Sequence, residues 1–115
     1  MYLDLIPAAR YTFSDLPEEE AIRWASTFPG HSAITFMEKL TYPAYKHIPV
    51  AYLLCKGDRL IHPDVQRSFI DHVSRESGRE AKVYACDSGH CPNISRPDYV
   101  VDVVRHAAGE MDVVV

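Results

Sequence analysis

Apolar side chains recur at helical intervals in the first part of the chain. Two consecutive stretches show the pattern, and their apolar positions are Ile22, Ala25 and Phe28, followed by Ala33, Phe36, Met37 and Leu40. Asp15 precedes the first stretch as an N-cap residue would, with Pro17 and Glu18 in capping-box order. Residues 1–13 show only a weak alternation. The pattern therefore predicts a hairpin of two helices behind a short N-terminal segment.

Apolar residues are arranged differently in the second part of the chain. Residues 48–55 and 81–86 are short apolar runs, which are typical of strands buried on both faces of a parallel sheet. A helix that begins at Pro63 and ends at Gly78 is predicted between them, and a last helix begins at Pro97. The predicted inward residues of the first of these helices are Val65, Phe69, Ile70 and Val73. The order predicts a βαβα unit with two adjacent parallel strands and a right-handed crossover.

The length of 115 residues fits one α/β domain, which we divide into two parts. Residues 1–47 are the N-terminal segment with the helical hairpin, and residues 48–115 are the βαβα unit. Twelve Lys and Arg stand against 16 Asp and Glu, and this net charge of −4 offers no basic face to nucleic acid. No apolar run reaches the roughly 20 residues that span a membrane. We therefore expect no nucleic-acid partner and no membrane partner.

The cysteines bear on the compartment and on metal binding. Cys55, Cys86 and Cys91 are an odd set, and the first residues have neither the basic stretch nor the long apolar stretch of a secretory signal. We therefore expect reduced thiols and a cytoplasmic location. Cys86, His90 and Cys91 do not have a standard zinc-ligand spacing. The sequence thus predicts no metal site and no cofactor.

Two polar residues follow the two predicted strands at the same edge of the sheet. Asp58 lies three positions after the first strand, and His90 lies four positions after the second. Ligands of open α/β sheets bind beyond the carboxyl ends of the strands. An aspartate beside a histidine fixes the tautomer of the imidazole and stabilises its protonated form, as a general base requires. Each residue alone is also an ordinary turn residue, so it is their matched placement that favours a catalytic Asp58–His90 pair.

Three motifs surround these positions: Val65-Gln66-Arg67 in a helix opened by proline, the loop Ser88-Gly89-His90-Cys91-Pro92, and Ser95-Arg96-Pro97 at a helix start. On these motifs the segment from Pro49 to Gly109 resembles the C-terminal end of α/β-hydrolase-fold proteins, closest to the esterase and hydroxynitrile-lyase-like branch and its fungal members. Residues 13–45 resemble the helical cap of that family. The resemblance implies that Asp58 is the acid and His90 the histidine of a catalytic triad.

The sequence departs from the family at the nucleophile. The family's N-terminal half, with its first strands, oxyanion loop and nucleophile elbow, has no counterpart in these residues. The fragment Gly30-His31-Ser32-Ala33-Ile34 lacks the final glycine of the elbow and follows no predicted strand, so we interpret Ser32 as a residue at a helix start. The resemblance therefore implies a truncated α/β-hydrolase fold. We expect a second copy, as in a dimer, or a complementary chain to cover the open edge of its first strand.

Aromatic residues are frequent in the predicted hairpin, and two roles are open for them. They pack the two helices together, or they form the wall of an apolar ligand site, as the cap does in the resembled family. Trp24, Phe28 and Phe36, together with Cys91 beside His90, are the candidate substrate-binding residues. A Cys91 nucleophile activated by His90 is a less favoured alternative, because adjacent residues in a tight loop usually point apart.

Three classes of function agree with this sequence. In the first, the Asp58–His90 pair carries out general acid–base chemistry on a small carbonyl or ester-like metabolite, as an isomerase, cyclase or lyase does. In the second, the chain is a subunit of a split serine esterase whose nucleophile comes from another chain. In the third, it is a non-catalytic remnant that binds a ligand or partner. We favour the first narrowly over the second, since both need the same pair.

Overall fold

A computed structural model describes residues 1–110 and 115, and it contains a helical hairpin followed by a small α/β unit. The hairpin consists of helices α1 (Leu5–Thr12) and α2 (Glu18–Ala25), and two short 3-10 turns follow at Ala33–Phe36 and Ala44–Lys46. The remaining elements, in chain order, are β1 (Ala51–Cys55), α3 (Pro63–Ser77), β2 (Lys82–Cys86), α4 (Pro92–Ser95) and α5 (Pro97–Ala107).

The two strands form a parallel sheet with a simple register. Ala51 lies opposite Lys82 at one end, and Cys55 lies opposite Cys86 at the other. Helix α3 connects the strands and ends at Gly78, whose φ of 66° is the left-handed conformation that glycine adopts most readily. The predicted α/β class and the predicted pair of adjacent parallel strands are confirmed. Helix α4 is a single extra turn between β2 and the predicted last helix.

The helical hairpin has its own small core. Its buried residues are Ala8, Ala9, Phe13, Ala21 and Ala25. Because most of these side chains are a single methyl group, α1 and α2 can pack closely along their contact. Four partly buried residues pack against this core, two from the hairpin and two from the segment after β2: Leu16, Ile22, Cys91 and Ile94. The hairpin is therefore attached to the end of the sheet where β2 finishes.

The predicted hairpin was wrong in its choice of helices. The weakly alternating residues 1–13 contain helix α1, because Ala8, Ala9 and Thr12 fall on one helical face and are buried. Residues 33–40 form no α-helix; their only regular element is the exposed 3-10 turn, and Leu40 remains 70 % exposed. A short amphipathic helix depends on the packing of its apolar face. Among the described residues, this second stretch has no buried position on which to pack.

The capping prediction for Asp15 was also wrong. Helix α2 begins at Glu18, and its N-cap position is occupied by Pro17, which makes no side-chain cap hydrogen bond. The three glutamates of the first turn place negative charge at the positive end of the helix dipole instead. The carboxylate of Asp15 is used elsewhere, in a contact with the loop after β2.

The apolar faces of α3 and α5 are only partly covered. Val65 and Phe69, predicted to face inward, are 44 % and 46 % exposed, and Val104 of α5 is 59 % exposed. The buried positions of these helices are Gln66 in α3 and Val103 in α5. The predicted strand-like tail, residues 111–114, lies outside the described residues. No helix in the described part of the chain is long and apolar enough to cross a membrane.

Candidate active site

The turn after β1 holds Asp58 in a buried position. The side chain is 5 % exposed, and its Oδ1 accepts hydrogen bonds from the backbone amides of Leu60 and Ile61 at 2.8 and 2.9 Å. This is the local arrangement by which aspartate stabilises a turn two and three residues further along. Since Oδ1 is occupied by these amides, Oδ2 is the carboxylate oxygen that remains for a partner from another segment.

Gln66 ties this turn to the end of β1. Its Oε1 accepts a hydrogen bond from the amide of Cys55 at 2.9 Å, and its Nε2 donates to the carbonyls of Cys55 at 3.0 Å and Ile61 at 2.8 Å. The same Nε2 lies 3.5 Å from Oδ2 of Asp58. Gln66 is 2 % exposed, and every polar group of its amide is used within the turn. Gln66 therefore fixes the position of the turn that carries Asp58 relative to the end of β1.

Main-chain hydrogen bonds continue the strand pairing beyond the two strands. The amide of Lys56 donates to the carbonyl of Cys86, and the amide of Gly57 donates to the carbonyl of Ser88, both at 2.9 Å. A Cβ atom on Gly57 would lie 2.9 Å from that carbonyl oxygen, so a larger residue would separate the two turns. The bonds align the turn of Asp58 with the loop of His90.

Asp58 and His90 meet at this edge of the sheet. Nδ1 of His90 lies 2.9 Å from Oδ2 of Asp58, and the histidine side chain is 28 % exposed whereas the aspartate is buried. In the neutral imidazole, Nδ1–H donates to the carboxylate, which leaves Nε2 as the proton acceptor. The predicted geometry of the pair is confirmed; its catalytic role stays a prediction.

A model of the alpha/beta hydrolase family matches residues 2–103. The chain belongs to the α/β-hydrolase family. The match covers both the hairpin and the sheet, and it confirms the resemblance carried by the motifs around Asp58 and His90.

Two fungal proteins are similar to this α/β-hydrolase. The probable hydrolase R7 of a Phoma species is 36 % identical over 109 residues, which cover 95 % of this chain and 45 % of that protein. The alpha/beta hydrolase nvfD of Aspergillus novofumigatus is 32 % identical over 94 residues, which cover 81 % of this chain and 36 % of that protein. The chain thus spans less than half the length of the curated relatives it matches.

Ser32 of this α/β-hydrolase does not lie in a nucleophile elbow. Ser32 is an exposed residue in extended conformation that directly precedes the 3-10 turn of Ala33–Phe36, and no strand of the described residues leads into it. A nucleophile elbow needs a sharp turn from a strand into a helix. The interpretation of Ser32 as a residue at a helix start therefore holds, although the helix is only this short 3-10 turn.

The four predicted substrate-binding residues lie in four different settings. The ring of Phe28 packs against Phe13 with 5.6 Å between ring centroids, and Phe36 packs against His31 at 5.1 Å. Trp24 is a partly exposed residue of α2. Cys91 directly follows His90 and is half-buried against the hairpin core. Of the four, Cys91 is the one that the chain itself brings next to the Asp58–His90 pair, and the ligand-binding role of all four stays a prediction.

The surroundings of Cys91 disfavour it as a nucleophile. Burial raises the pKa of its thiol, and the carboxylates of Asp15 and Asp58 raise it further. The reactive form of a cysteine is the thiolate, so a raised pKa leaves less of that form at neutral pH. Among the described residues, no group of three or more His, Cys, Asp or Glu side chains is arranged to hold a metal ion.

Gln66 is the structural residue that sequence reasoning missed. It entered only as part of a family motif, and its partners are main-chain groups, which leave no trace in the pattern of side chains. The one available signal was a polar residue beside the apolar stripe of a helix that follows directly on the turn of Asp58. A glutamine at such a position indicates a buried amide that needs hydrogen-bond partners in the neighbouring turn.

We predict that Gln66→Leu destabilises the fold by about 2 kcal/mol or more, since it leaves buried groups of Cys55 and Ile61 without hydrogen-bond partners. Urea unfolding followed by circular dichroism measures the change. Arg67→Leu, an exposed substitution on the same helix, is the matched control and should change stability little. Equal stability of the two variants would contradict the anchoring role of Gln66.

We further predict that iodoacetamide alkylates Cys91 at neutral pH at least about tenfold more slowly than the same cysteine in the urea-unfolded chain. Because the pKa of Cys91 is raised, its alkylation rate should still increase at pH values where the alkylation rate of a free thiol has already become constant. Peptide mapping by mass spectrometry assigns the modified residue. Rapid alkylation of Cys91 in the folded chain would restore it as a candidate nucleophile.

Proposed function

We propose that this chain carries the acid–base part of an α/β-hydrolase active site, acting on a small ester-like or carbonyl metabolite. His90 transfers the proton, and Asp58 orients the imidazole and stabilises it when it is protonated. The observation that carries the proposal is the 2.9 Å contact between Nδ1 of His90 and Oδ2 of the buried Asp58. The relatives support it, since both are named hydrolases.

The proposed hydrolytic reaction needs a nucleophile near Nε2 of His90. In this form a serine hydroxyl, delivered by another chain or by a further segment of a longer polypeptide, loses its proton to Nε2 as it attacks the ester carbonyl. The proton then passes from His90 to the leaving group. The short coverage of the relatives supports this form, because the matched region is less than half of each relative.

A second candidate is acid–base chemistry without a serine, as in an isomerase, cyclase or lyase. It is supported by the completeness of the pair within this chain: both side chains and the amides that hold Asp58 come from residues 58–90. In this form His90 would remove a proton next to a carbonyl group and return it elsewhere on the same molecule or to solvent. No residue outside the chain is needed for that step.

The uncovered apolar surface supports association with a further chain, either a second copy or a complementary one. Val65, Phe69 and Val104 are large apolar residues on helix faces that the described residues leave open. A sheet of two strands also has two open edges, which invite pairing with another strand. The proposed partner packs on these faces and extends the sheet.

The thiols support a reducing compartment. Cys55 and Cys86 are register partners on the adjacent strands, both are buried, and both are free thiols, as is Cys91. Disulfides are rare where thiols are kept reduced. We therefore place the proposed activity in the cytoplasm.

Association is tested by the mass in solution. We predict a particle larger than the 13.0 kDa of one chain at micromolar concentration, because burial of the open apolar faces of α3 and α5 stabilises a complex. Light scattering coupled to size-exclusion chromatography measures the mass. A monomer that unfolds in one cooperative transition would show that the chain needs no partner to be stable.

The pair itself is tested by substitution. His90→Ala should lower turnover by about 10²- to 10⁴-fold, the usual contribution of a general base, and Asp58→Asn should lower it by less. Ser32→Ala is the matched control and should leave turnover unchanged, since Ser32 is exposed and only precedes the short 3-10 turn. The assays are hydrolysis of chromogenic esters and uptake of solvent deuterium next to the carbonyl of small ketones.

The same assays separate the alternatives. Ester hydrolysis that appears only when the unmatched part of a relative is added as a second chain would favour the split-hydrolase form. Deuterium uptake by this chain alone, lost in His90→Ala, would favour the form without a serine. If neither activity depends on His90, the chain is a binding remnant and the proposal is wrong. Labelling of Ser32 by a serine-directed phosphonate would overturn its assignment to a non-catalytic turn.

A further inference from the structure

The loop that carries His90 is held by a carboxylate from the helical hairpin. The backbone amide of Gly89, the residue directly before His90, donates a hydrogen bond to Oδ2 of Asp15 at 2.6 Å. Asp15 lies in the link between α1 and α2, 74 positions away in the chain. A hydrogen bond to an ionised carboxylate is shorter and roughly twice as strong as one between neutral groups.

The contact at Gly89 leaves no room for a side chain unless Asp15 and Ser14 move. A Cβ atom on Gly89 would lie 2.6 Å from Oδ1 of Asp15 and 2.9 Å from Oγ of Ser14. Both atoms belong to the same link of the hairpin. The carboxylate of Asp15 therefore rests directly on the backbone of Gly89, and the glycine is needed for this approach rather than for an unusual φ angle.

The hairpin also holds the loop on the other side of His90. Cys91 and Ile94 pack against the hairpin core, which includes Ala9 and Phe13. The charge of Asp15 reaches Cys91 as well: after burial, it is the next cause of the raised pKa of that thiol. The backbone is thus fixed by the same hairpin immediately before and immediately after the histidine.

We infer that Asp15 is a positioning residue for His90, which makes the α1–α2 hairpin part of the acid–base apparatus. By accepting the hydrogen bond from the Gly89 amide, Asp15 keeps the loop in the position in which Nδ1 of His90 contacts Asp58. Release of the hairpin from the loop would free the imidazole from its carboxylate partner. The inference rests on the proposed function, because it concerns the alignment of the same histidine.

The test compares Asp15→Ala, which removes the acceptor, with Asp15→Asn, which keeps an acceptor oxygen without the charge. In Asp15→Ala, we expect the Gly89 amide to exchange with solvent at least about tenfold faster, since a hydrogen bond to a charged group is lost. We also expect His90 to change from one tautomer to a mixture, as seen in two-bond ¹H–¹⁵N spectra of the imidazole. In Asp15→Asn, the Gly89 amide should remain largely protected from exchange, and His90 should remain mostly in one tautomer.

Asp87→Asn is the matched control in the same loop. Its carboxylate is exposed and pairs with Nζ of Lys56 at 2.8 Å, so its loss should leave the Gly89 amide and the His90 tautomer unchanged. Where activity is measurable, Asp15→Ala should lower kcat by about ten- to a hundredfold with little change in KM, as misalignment of a catalytic group does.

A double variant tests the contact between Asp15 and Gly89 in a second way, which does not depend on Asp15→Ala alone being well folded. Gly89→Ala should lower the urea midpoint because its Cβ collides with Asp15 and Ser14, and adding Asp15→Ala should recover part of that loss. If the losses of stability in the two single variants simply add in the double variant, the inferred contact between Asp15 and Gly89 is wrong. An unchanged His90 tautomer in Asp15→Ala would overturn the positioning role while leaving the proposed function intact, whereas the proposed function fails only if no activity depends on His90.

Discussion

The carboxylate of Asp58 is almost completely buried, and a buried charge has to be compensated by hydrogen-bond donors. Its two oxygens receive the amides of Leu60 and Ile61 on one side and the imidazole of His90 on the other. The first two donors come from its own turn, but the third comes from a loop that is 32 positions away. The position of that loop relative to the turn is therefore the constraint that the surrounding structure has to satisfy.

Three independent contacts satisfy this constraint. Gln66 fixes the turn to the end of β1, and the bond from Gly57 to Ser88 fixes the turn to the loop. Asp15 then holds the loop from the hairpin side. Each contact uses backbone groups on at least one side, which cannot shift without moving the chain. Such support favours a single orientation of the histidine, which the proposed acid–base role requires.

The pairing of Asp58 with His90 could be predicted because it follows from topology. Two apolar runs separated by a helix fix parallel neighbours, and residues placed just after such strands meet at one edge. The helical hairpin could not be predicted in the same way. The buried face of α1 consists of Ala8, Ala9 and Thr12, and such small side chains produce no stripe of large apolar residues in the sequence. Asp15 looked like an N-cap because its true partner, the amide of Gly89, is distant in sequence.

The geometry of the pair and the completeness of the core depend on different forces. The pair is built by hydrogen bonds within residues 55–66 and 86–90 and by the contact with Asp15. The core depends on burial of apolar area, and the faces of α3 and α5 that carry Phe69 and Val104 are still open. These hydrogen bonds all join groups within the chain, whereas the open apolar faces of α3 and α5 have no covering surface among the described residues. The aligned Asp58–His90 contact is therefore formed within a chain that spans less than half the length of its relatives, and the proposed association over α3 and α5 would add stability without having to create that contact.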